Sequence, residues 1–204
     1  MRTLSVVAVT VIVATLGACV GDEPETIPPA GSSGTTGTTD GGPSTEAGSG
    51  AVGDAVTSDG FEDGCGRWHS SSSNLTKDAT ARSGPSSCRV CFSGAEASFD
   101  VALRHEVVLD PGSRYTATIW IRTAPDKPPG GSMLIGLRSE DAALSTIEEG
   151  ASQGPPLTDT WQEATATLDV SKPGGSRLLL LVASQSVPDP GSCFLIDDAE
   201  IRRR

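Results

Sequence analysis

Five cysteines carry most of the chemistry that this sequence could perform. Cys88 and Cys91 have the CxxC spacing of redox and zinc sites, but no second CxxC follows, and neither histidine lies at a ligand spacing. In an oxidising compartment Cys65, Cys88, Cys91 and Cys193 would instead form two disulfides, for which three connectivities are possible. Residues three apart on a strand point to opposite faces, so Cys88 and Cys91 should have different partners. We adopt Cys65–Cys88 with Cys91–Cys193 as the predicted pairing.

Catalytic motifs are weak throughout the chain. His105-Glu106 begins like the HExxH zinc motif, but Leu109 stands where the second histidine is required. Glu148 and Glu149 are adjacent in sequence, whereas the paired carboxylates of a glycosidase must face each other across a cleft. No G-x-S-x-G nucleophile motif occurs. The sequence therefore predicts a protein without catalytic activity.

The fifth cysteine, Cys19, follows a short apolar segment at the start of the chain. Residues 4–16 are almost continuously apolar, are too few to cross a bilayer and have the length of a signal-peptide core. Leu16-Gly17-Ala18-Cys19 resembles the lipobox of bacterial lipoprotein precursors, which implies cleavage after Ala18 and acylation of Cys19, for example with palmitate. Several acyl chains on one cysteine form a stable membrane anchor. The alternative is an ordinary signal peptide with a chance cysteine.

The residue after the lipobox cysteine bears on the destination of the protein. It is Val20 rather than aspartate, which by resemblance to Gram-negative lipoprotein sorting predicts an exported protein anchored in the outer membrane. In a host without an outer membrane, the anchor would lie in the plasma membrane and the protein would face outward.

Composition divides the rest of the chain into a tether and a domain. Residues 19–57 are mostly Gly, Ser, Thr, Pro and Ala, and they bury too little apolar surface to offset their ordering entropy. A flexible chain of this length spans on the order of 30–35 Å. Residues 58–204 are long enough for one domain with a single core. We therefore predict a signal peptide at 1–18, a tether at 19–57 and a folded domain at 58–204.

The charge of the chain argues against a nucleic-acid partner. The formal net charge is −11 at pH 7, and a phosphate backbone favours a protein of the opposite sign. The basic residues 202–204 are terminal and are interpreted as a solvated tail. The predicted partners are a membrane, through the lipid, and a polysaccharide or surface protein.

Short β-rich segments separated by Gly, Pro, Asp and Ser turns cover the predicted domain, and none has a convincing helical period. The clearest segment is 114–122, and its expected inward face carries Tyr115, Ala117, Ile119 and Ile121. Further segments are 86–92, 97–109, 133–138, 161–170, 177–184 and 194–201. Seven or eight strands in this length predict an all-β, antiparallel β-sandwich of jelly-roll type. An immunoglobulin-like sandwich is the alternative.

Five short motifs, taken in order, resemble a known family. They are Asp59-Gly60-Phe61-Glu62 with Gly66-Arg67-Trp68, residues 81–90, residues 109–122, Thr160-Trp161-Gln162 and Phe194-Leu195-Ile196-Asp197-Asp198. The pattern is similar to carbohydrate-binding modules of the family 4/9 type and spans residues 59–201. The resemblance implies a galactose-binding-like jelly roll, but the same fold hosts unrelated functions.

A sugar site needs aromatic faces beside hydrogen-bonding side chains, because a pyranose ring has an apolar CH face and a rim of hydroxyls. Trp120 and Arg122 share the outward face of the central strand, and Trp68 and His69 lie in a loop that could form a rim. These four residues are the predicted ligand site, although aromatic residues make up only 4% of the chain. The alternative for Trp120 is a packing role.

Glu62 and Asp197 are the candidate metal ligands. In strict alternation Asp197 shares a face with apolar residues of its strand, so it is expected to point inward, where an unpaired carboxylate is costly. The family resemblance implies that Glu62 and Asp197 help to hold one structural calcium ion, for which carbonyl oxygens of residues 83–87 would also be needed. The alternative is that an arginine or backbone amides satisfy these acids.

The sequence thus predicts a non-catalytic, lipid-anchored surface module that binds a polysaccharide or a cell-wall or matrix glycan. The alternative is a structural or protein-interaction lipoprotein that keeps the jelly roll without a glycan site.

Overall fold

The structure, a computed structural model, describes residues 53–94, 98–186 and 188–204. The chain divides into two units, Met1–Glu46 and Ala47–Arg204, and all of the described residues belong to the second. The predicted signal peptide, Cys19 and the tether as far as residue 52 lie outside the described residues. In the described part of the chain, no helix is long and apolar enough to cross a membrane.

Eleven β-strands account for the secondary structure of the described residues, which contain no helix. Their bounds are β1 Asp54–Asp59, β2 Trp68–His69, β3 Ser73–Asp78, β4 Ser87–Phe92, β5 Asp100–Glu106, β6 Arg114–Thr123, β7 Ser132–Glu140, β8 Thr146–Pro156, β9 Gln162–Asp169, β10 Arg177–Ser184 and β11 Cys193–Arg203. The strands pair in antiparallel fashion throughout the described residues. The predicted all-β, antiparallel sandwich is therefore confirmed.

The strands form two sheets. One has the order β3-β4-β11-β6-β9, with β1 also paired to β11, and we call it the six-stranded sheet. The other, the five-stranded sheet, has the order β2-β5-β10-β7-β8. Strand β11 organises the first sheet, because its first half pairs with β4, its second half pairs with β1, and β6 runs along its other side.

The core lies between the sheets and follows the period-two pattern of the sequence. In β6 the four residues expected to point inward are all buried, and Leu178, Leu180 and Val182 of β10 face them from the other sheet. The core also takes six of the eight aromatic side chains, Phe61, Trp68, Phe92, Phe99, Tyr115 and Phe194. The other two aromatic side chains, Trp120 and Trp161, are partly exposed.

A bulge in β11 changes the direction of the side chains that follow it. The register between β6 and β11 shifts between Asp197 and Glu200, and Asp198 has a positive φ of 45°. Asp197 lies opposite Trp120, on the outer face of the six-stranded sheet, whereas Ala199 lies in the core. Asp197 was expected to point inward, and this was wrong. Strict alternation gives Asp197 and Ala199 the same direction, but the extra residue of the bulge puts them on opposite faces of the sheet.

Four strands, β1, β2, β3 and β8, are absent from the segments predicted as strands. Three of them are rich in polar residues and lack alternating apolar positions, and β2 has only two residues. They form because a neighbouring strand offers hydrogen-bond partners, as β11 does for β1. As a result β1 begins at Asp54, four residues before the predicted start of the domain.

Two disulfides fasten the six-stranded sheet with the predicted pairing. Cys91 and Cys193 lie directly opposite each other on β4 and β11. Cys65, in the loop between β1 and β2, bonds to Cys88 of β4. The two cysteines of the CxxC pair therefore belong to two different disulfides. This agrees with their opposite directions on one strand.

Candidate functional site

The outer face of the five-stranded sheet has an apolar floor. Alternate residues of β10 point into the core, so Leu179 and Leu181 point outward. Leu181 lies between Ala102 of β5 and Gly136 of β7 in the register of the three strands. Because the side chains of these two neighbours are small, the surface around Leu181 forms a depression.

Two arginines flank this floor. Leu179 lies opposite Arg104 of β5 on one side and opposite Arg138 of β7 on the other. Because neighbouring strands are about 4.8 Å apart, the Cα atoms of the two arginines are separated by about 10 Å. The Nε atom of Arg104 donates to Oε2 of Glu140 at 3.0 Å, and its Nη1 lies 2.5 Å from Nε2 of His69. Arg104 is thus held from both sides.

Arg138 has fewer partners. Its Nη2 atom lies 2.9 Å from Oε1 of Glu149 in an ion pair. Its Nε atom is buried and has no hydrogen-bond partner among the described residues. A buried donor without a partner costs about 1–3 kcal/mol. Arg138 is therefore a cation with donors that the surrounding protein does not satisfy.

These side chains line a depression of about 470 Å³. Its wall at the β2–β3 end includes Ser70, Ser71 and Asp100, and the Oδ1 atom of Asp100 accepts a hydrogen bond from the Ser72 hydroxyl at 3.3 Å. An apolar floor with charged and polar groups around it is typical of a small-molecule site. It can hold the CH face of a sugar ring while fixed donors and acceptors bind the hydroxyls.

A second depression, of about 410 Å³, lies on the outer face of the six-stranded sheet beside Trp120. The guanidinium of Arg82 lies 3.8 Å from the centre of the Trp120 ring, and the same side chain donates to Oδ2 of Asp198 at 2.7 Å. One face of the Trp120 ring is thus occupied by a cation of the protein itself.

Trp68 does not form the rim of a site. The side chain is only 4% exposed, and its ring centre lies 5.5 Å from that of Phe61. Its Nε1 donates to Oδ2 of Asp59 at 3.2 Å. The prediction of Trp68 as a ligand-binding residue was wrong, because β2 directs its first residue into the core.

The other three predicted ligand residues do not meet in one place. His69 is exposed on the outer face of the five-stranded sheet, opposite Ala102. Trp120 and Arg122 lie on the outer face of the six-stranded sheet, where the Arg122 guanidinium is 5.7 Å from the centre of the Trp161 ring. The core separates the two faces, so no single ligand site includes all three residues.

The carboxylate of Asp197 is satisfied by backbone amides. Its Oδ2 accepts from the amides of Arg82 at 2.7 Å and Ser83 at 3.3 Å, and its Oδ1 accepts from the amide of Asp198 at 2.9 Å. Burial raises the pKa of Asp197 above its ordinary value, and these amides oppose that rise.

The predicted calcium ligands do not assemble into a metal site. The Glu62 side chain is exposed and its carboxylate lies against Gly84. In the described part of the chain, no three acidic, histidine or cysteine side chains are grouped so that they could hold a metal. Amide hydrogens around Asp197 suit an anion rather than a cation, so the residues present do not fit a calcium ion at Asp197. The alternative raised from the sequence, satisfaction by backbone amides, describes this aspartate.

Sequence reasoning missed the residues that line the depression of the five-stranded sheet. Arg104 of β5 and Arg138 of β7 lie on strands that are not adjacent in the sheet, because β10 pairs between them. The consecutive leucines of β10 also conceal the alternation that would have marked Leu179 and Leu181 as outward. These residues can be recognised as neighbours only when the order of the strands in the sheet is known.

Comparison with known proteins identifies the family. The model of a carbohydrate binding domain of the family 4/9 type matches residues 53–191. This chain belongs to that family. The match begins one residue before β1 of the carbohydrate-binding domain, which agrees with the early start of the fold. Curated protein sequences give no significant match.

Solved structures share the β-sandwich. The CBM22-1 xylan-binding domain from Paenibacillus barcinonensis Xyn10C is 22% identical, with 74% of this chain and 95% of that chain covered and a TM-score of 0.57. The CBM22-2 xylan-binding domain of the same protein is 18% identical, with 72% and 99% covered and a TM-score of 0.56. The CBM22-1 and GH10 modules of Clostridium thermocellum xylanase 10B, complexed with xylohexaose, are 19% identical, with 76% and 29% covered and a TM-score of 0.56. Identities this low establish a common fold alone.

Proposed function

We propose that this protein is a non-catalytic, lipid-anchored module that binds a polysaccharide on the outer face of its five-stranded sheet. The observation that carries the proposal is the depression around Leu181, where an apolar floor is bordered by charged side chains. Membership of the carbohydrate-binding domain family supports a glycan as the ligand. The xylan-binding domains of similar fold support a polysaccharide rather than a free sugar.

The cellular part of the proposal depends on the sequence before residue 53. The lipobox-like segment ending in Cys19 supports lipidation, and Val20 supports transport to the outer membrane. A tether that spans on the order of 30–35 Å would hold the carbohydrate-binding domain clear of the membrane and allow it to reach surrounding polymers.

Polysaccharide binding is tested with the full chain purified in detergent. Retention on a panel of neutral and acidic plant, bacterial and matrix polysaccharides is measured by affinity electrophoresis. Leu181→Glu places a charge on the floor of the depression, and we expect it to abolish retention. Val108→Glu is the matched control, because Val108 is an apolar residue with 76% exposure that lies outside the depression.

Trp120→Ala separates the two faces of the sandwich. If Trp120→Ala abolishes binding and Leu181→Glu does not, the ligand binds on the six-stranded sheet and the proposed location is wrong. If the full chain is retained by none of the polysaccharides, glycan binding itself is wrong. In that case the second candidate, a structural or protein-interaction lipoprotein, is favoured, because no aromatic ring of the described residues lies on the outer face of the five-stranded sheet.

A further inference from the structure

The carboxylates around the depression of the five-stranded sheet already have partners. Glu140 accepts from Arg104 and is almost fully buried. Glu149 is ion-paired with Arg138. Asp100 accepts from the hydroxyls of Ser70 and Ser72. Each of these acidic groups therefore already holds an arginine or a serine of the protein in place.

The two guanidinium groups, in contrast, retain unused donors. Among the described residues Arg138 makes its ion pair with Glu149 but no hydrogen bond, and its Nε atom is buried without a partner. Arg104 uses Nε for Glu140 and Nη1 for His69, which leaves Nη2 without a hydrogen bond in the described part of the chain. A ligand that supplies acceptors can use these donors.

The positions of the arginines favour an anionic acceptor. Arg104 and Arg138 are placed on either side of Leu179, with Cα atoms about 10 Å apart, and both line the same depression. Their side chains are long enough for both guanidinium groups to reach a group bound above Leu179. Hydrogen bonds from guanidinium to carboxylate are roughly twice as strong as neutral ones. Glu140 and Glu149 restrain the two arginines, which lowers the entropy lost on binding.

Stacking cannot supply the affinity on this face. Six of the eight aromatic side chains are buried, and Trp120 and Trp161 contact the arginines Arg82 and Arg122 of the other sheet region. A neutral sugar ring would contact only aliphatic side chains and the charged border. Polar contacts must therefore contribute most of the binding energy.

We infer that the ligand of this depression is a polysaccharide with carboxylate groups, such as one containing uronic acid residues, and that Arg104 and Arg138 bind the carboxylate. This inference rests on the proposed function and names the class of polysaccharide. Non-specific attraction does not produce such a preference, because the chain carries a formal net charge of −11 and repels polyanions as a whole.

The test compares each polysaccharide with its own carboxyl-reduced form. Glucuronoxylan, polygalacturonate and alginate are used with the full chain in detergent, and the dissociation constant is measured by isothermal titration. Reduction converts each carboxylate to a primary alcohol and leaves the backbone unchanged. We expect at least one of the three acidic polymers to bind at least tenfold more tightly than its reduced form. We also expect added salt to weaken the binding of that polymer.

Arg138→Gln is the diagnostic variant, and Arg114→Gln is the matched control. Arg138 is partly exposed, so the substitution should leave the fold intact, which a thermal melt verifies. Arg114 is paired with Asp169 far from the depression, at the start of β6. We expect Arg138→Gln to weaken binding of the acidic polymer about tenfold and to change binding of the reduced polymer less than twofold.

The outcomes distinguish this inference from the proposed function. Equal binding of acidic and reduced polymers, or a preference for neutral polysaccharides in the panel, overturns the inference and leaves glycan binding in place. Loss of acidic binding with Arg138→Gln supports the inference, and equal loss with Arg114→Gln overturns it. Absence of binding to every polysaccharide overturns both.

Discussion

Asp197 is fully buried, and three backbone amides donate to its carboxylate. Two of these amides belong to the loop before β4, so this side chain connects that loop to β11. We predict that Asp197→Asn lowers the free energy of unfolding by about 1–3 kcal/mol, because one amide oxygen replaces two acceptors and an NH₂ group faces N–H donors. Urea unfolding at pH 7 measures the change. Asp63→Asn, at an exposed position, is the control. If the two variants are equally stable, the amide hydrogen bonds to the Asp197 carboxylate do not stabilise the fold.

Asp197 also provides a test for calcium. Because amides occupy its carboxylate, we expect the melting temperature of the wild-type chain to be the same with calcium and with EDTA. A rise with calcium that Glu62→Gln or Asp197→Asn removes would restore the metal site implied by the family resemblance.

His105 makes the stability depend on pH. Burial, and secondarily the positive charge of Arg67, lower the pKa of His105 below its ordinary value. As the pH falls, His105 therefore takes up its proton at a higher pH in the unfolded chain than in the folded chain. The contribution of His105 is complete above pH about 6.5 and is lost as the pH falls through the lower native pKa. We predict that His105→Gln reduces the loss of stability between pH 7.5 and 5.5 in urea unfolding. An unchanged loss would show that other groups cause it.

At the scale of strands, the two disulfides close loops of different length. Cys91–Cys193 spans a sequence separation of 102 residues and Cys65–Cys88 one of 23. The chain-entropy model assigns about 4.7 kcal/mol to the longer loop and about 3.4 kcal/mol to the shorter one. We predict that Cys91→Ala/Cys193→Ala is less stable than Cys65→Ala/Cys88→Ala by about 1 kcal/mol. Chemical unfolding of both variants gives the order, and the reverse order would show that native packing outweighs loop entropy.

The edge strands β8 and β9 meet where the two sheets close on each other. A Cβ atom at Gly150 of β8 would lie 1.8 Å from the backbone oxygen of Thr167 in β9, and backbone atoms cannot rotate away. We predict that Gly150→Ala lowers the free energy of unfolding by about 1–3 kcal/mol. Gly130→Ala is the control in a thermal melt, since a Cβ there meets no atom within 4 Å. If the two variants melt at the same temperature, β8 and β9 can move apart at little cost in free energy.

Strand recognition from sequence depends on burial of one face. Strand β6 was predicted correctly because its inward residues alternate with polar ones. Strand β8 carries Gly, Pro and acidic residues and has no comparable pattern. It exists because β7 pairs with it along most of its length, with two irregularities in the register. Pairing of that kind is a property of the sheet rather than of the segment.

At the scale of the whole molecule, the proposed anchor governs where the carbohydrate-binding domain acts. We predict that Cys19→Ser abolishes incorporation of labelled palmitate and releases the chain from the membrane fraction. Val20→Asp is the control, and it should keep the label while moving the protein from the outer to the inner membrane. Labelling and fractionation of cells that express each variant measure both effects. An unlabelled wild-type chain with an uncut precursor would disprove the anchor.

The sequence by itself determined the all-β class, the inward residues of the central strand, the family and the fact that Cys88 and Cys91 have different partners. These follow from local periodicity, from cysteine spacing and from short motifs, all of which lie within a few neighbouring residues. The tertiary structure decided the rest. It placed Trp68 in the core, selected one of the two remaining disulfide pairings, and introduced a bulge after Asp197 that puts this residue and Ala199 on opposite faces. It also brought Arg104 and Arg138 to one depression by pairing β10 between β5 and β7. The physical reason is that a period of two tells whether a side chain points in or out, whereas the order of strands in a sheet selects which outward side chains become neighbours.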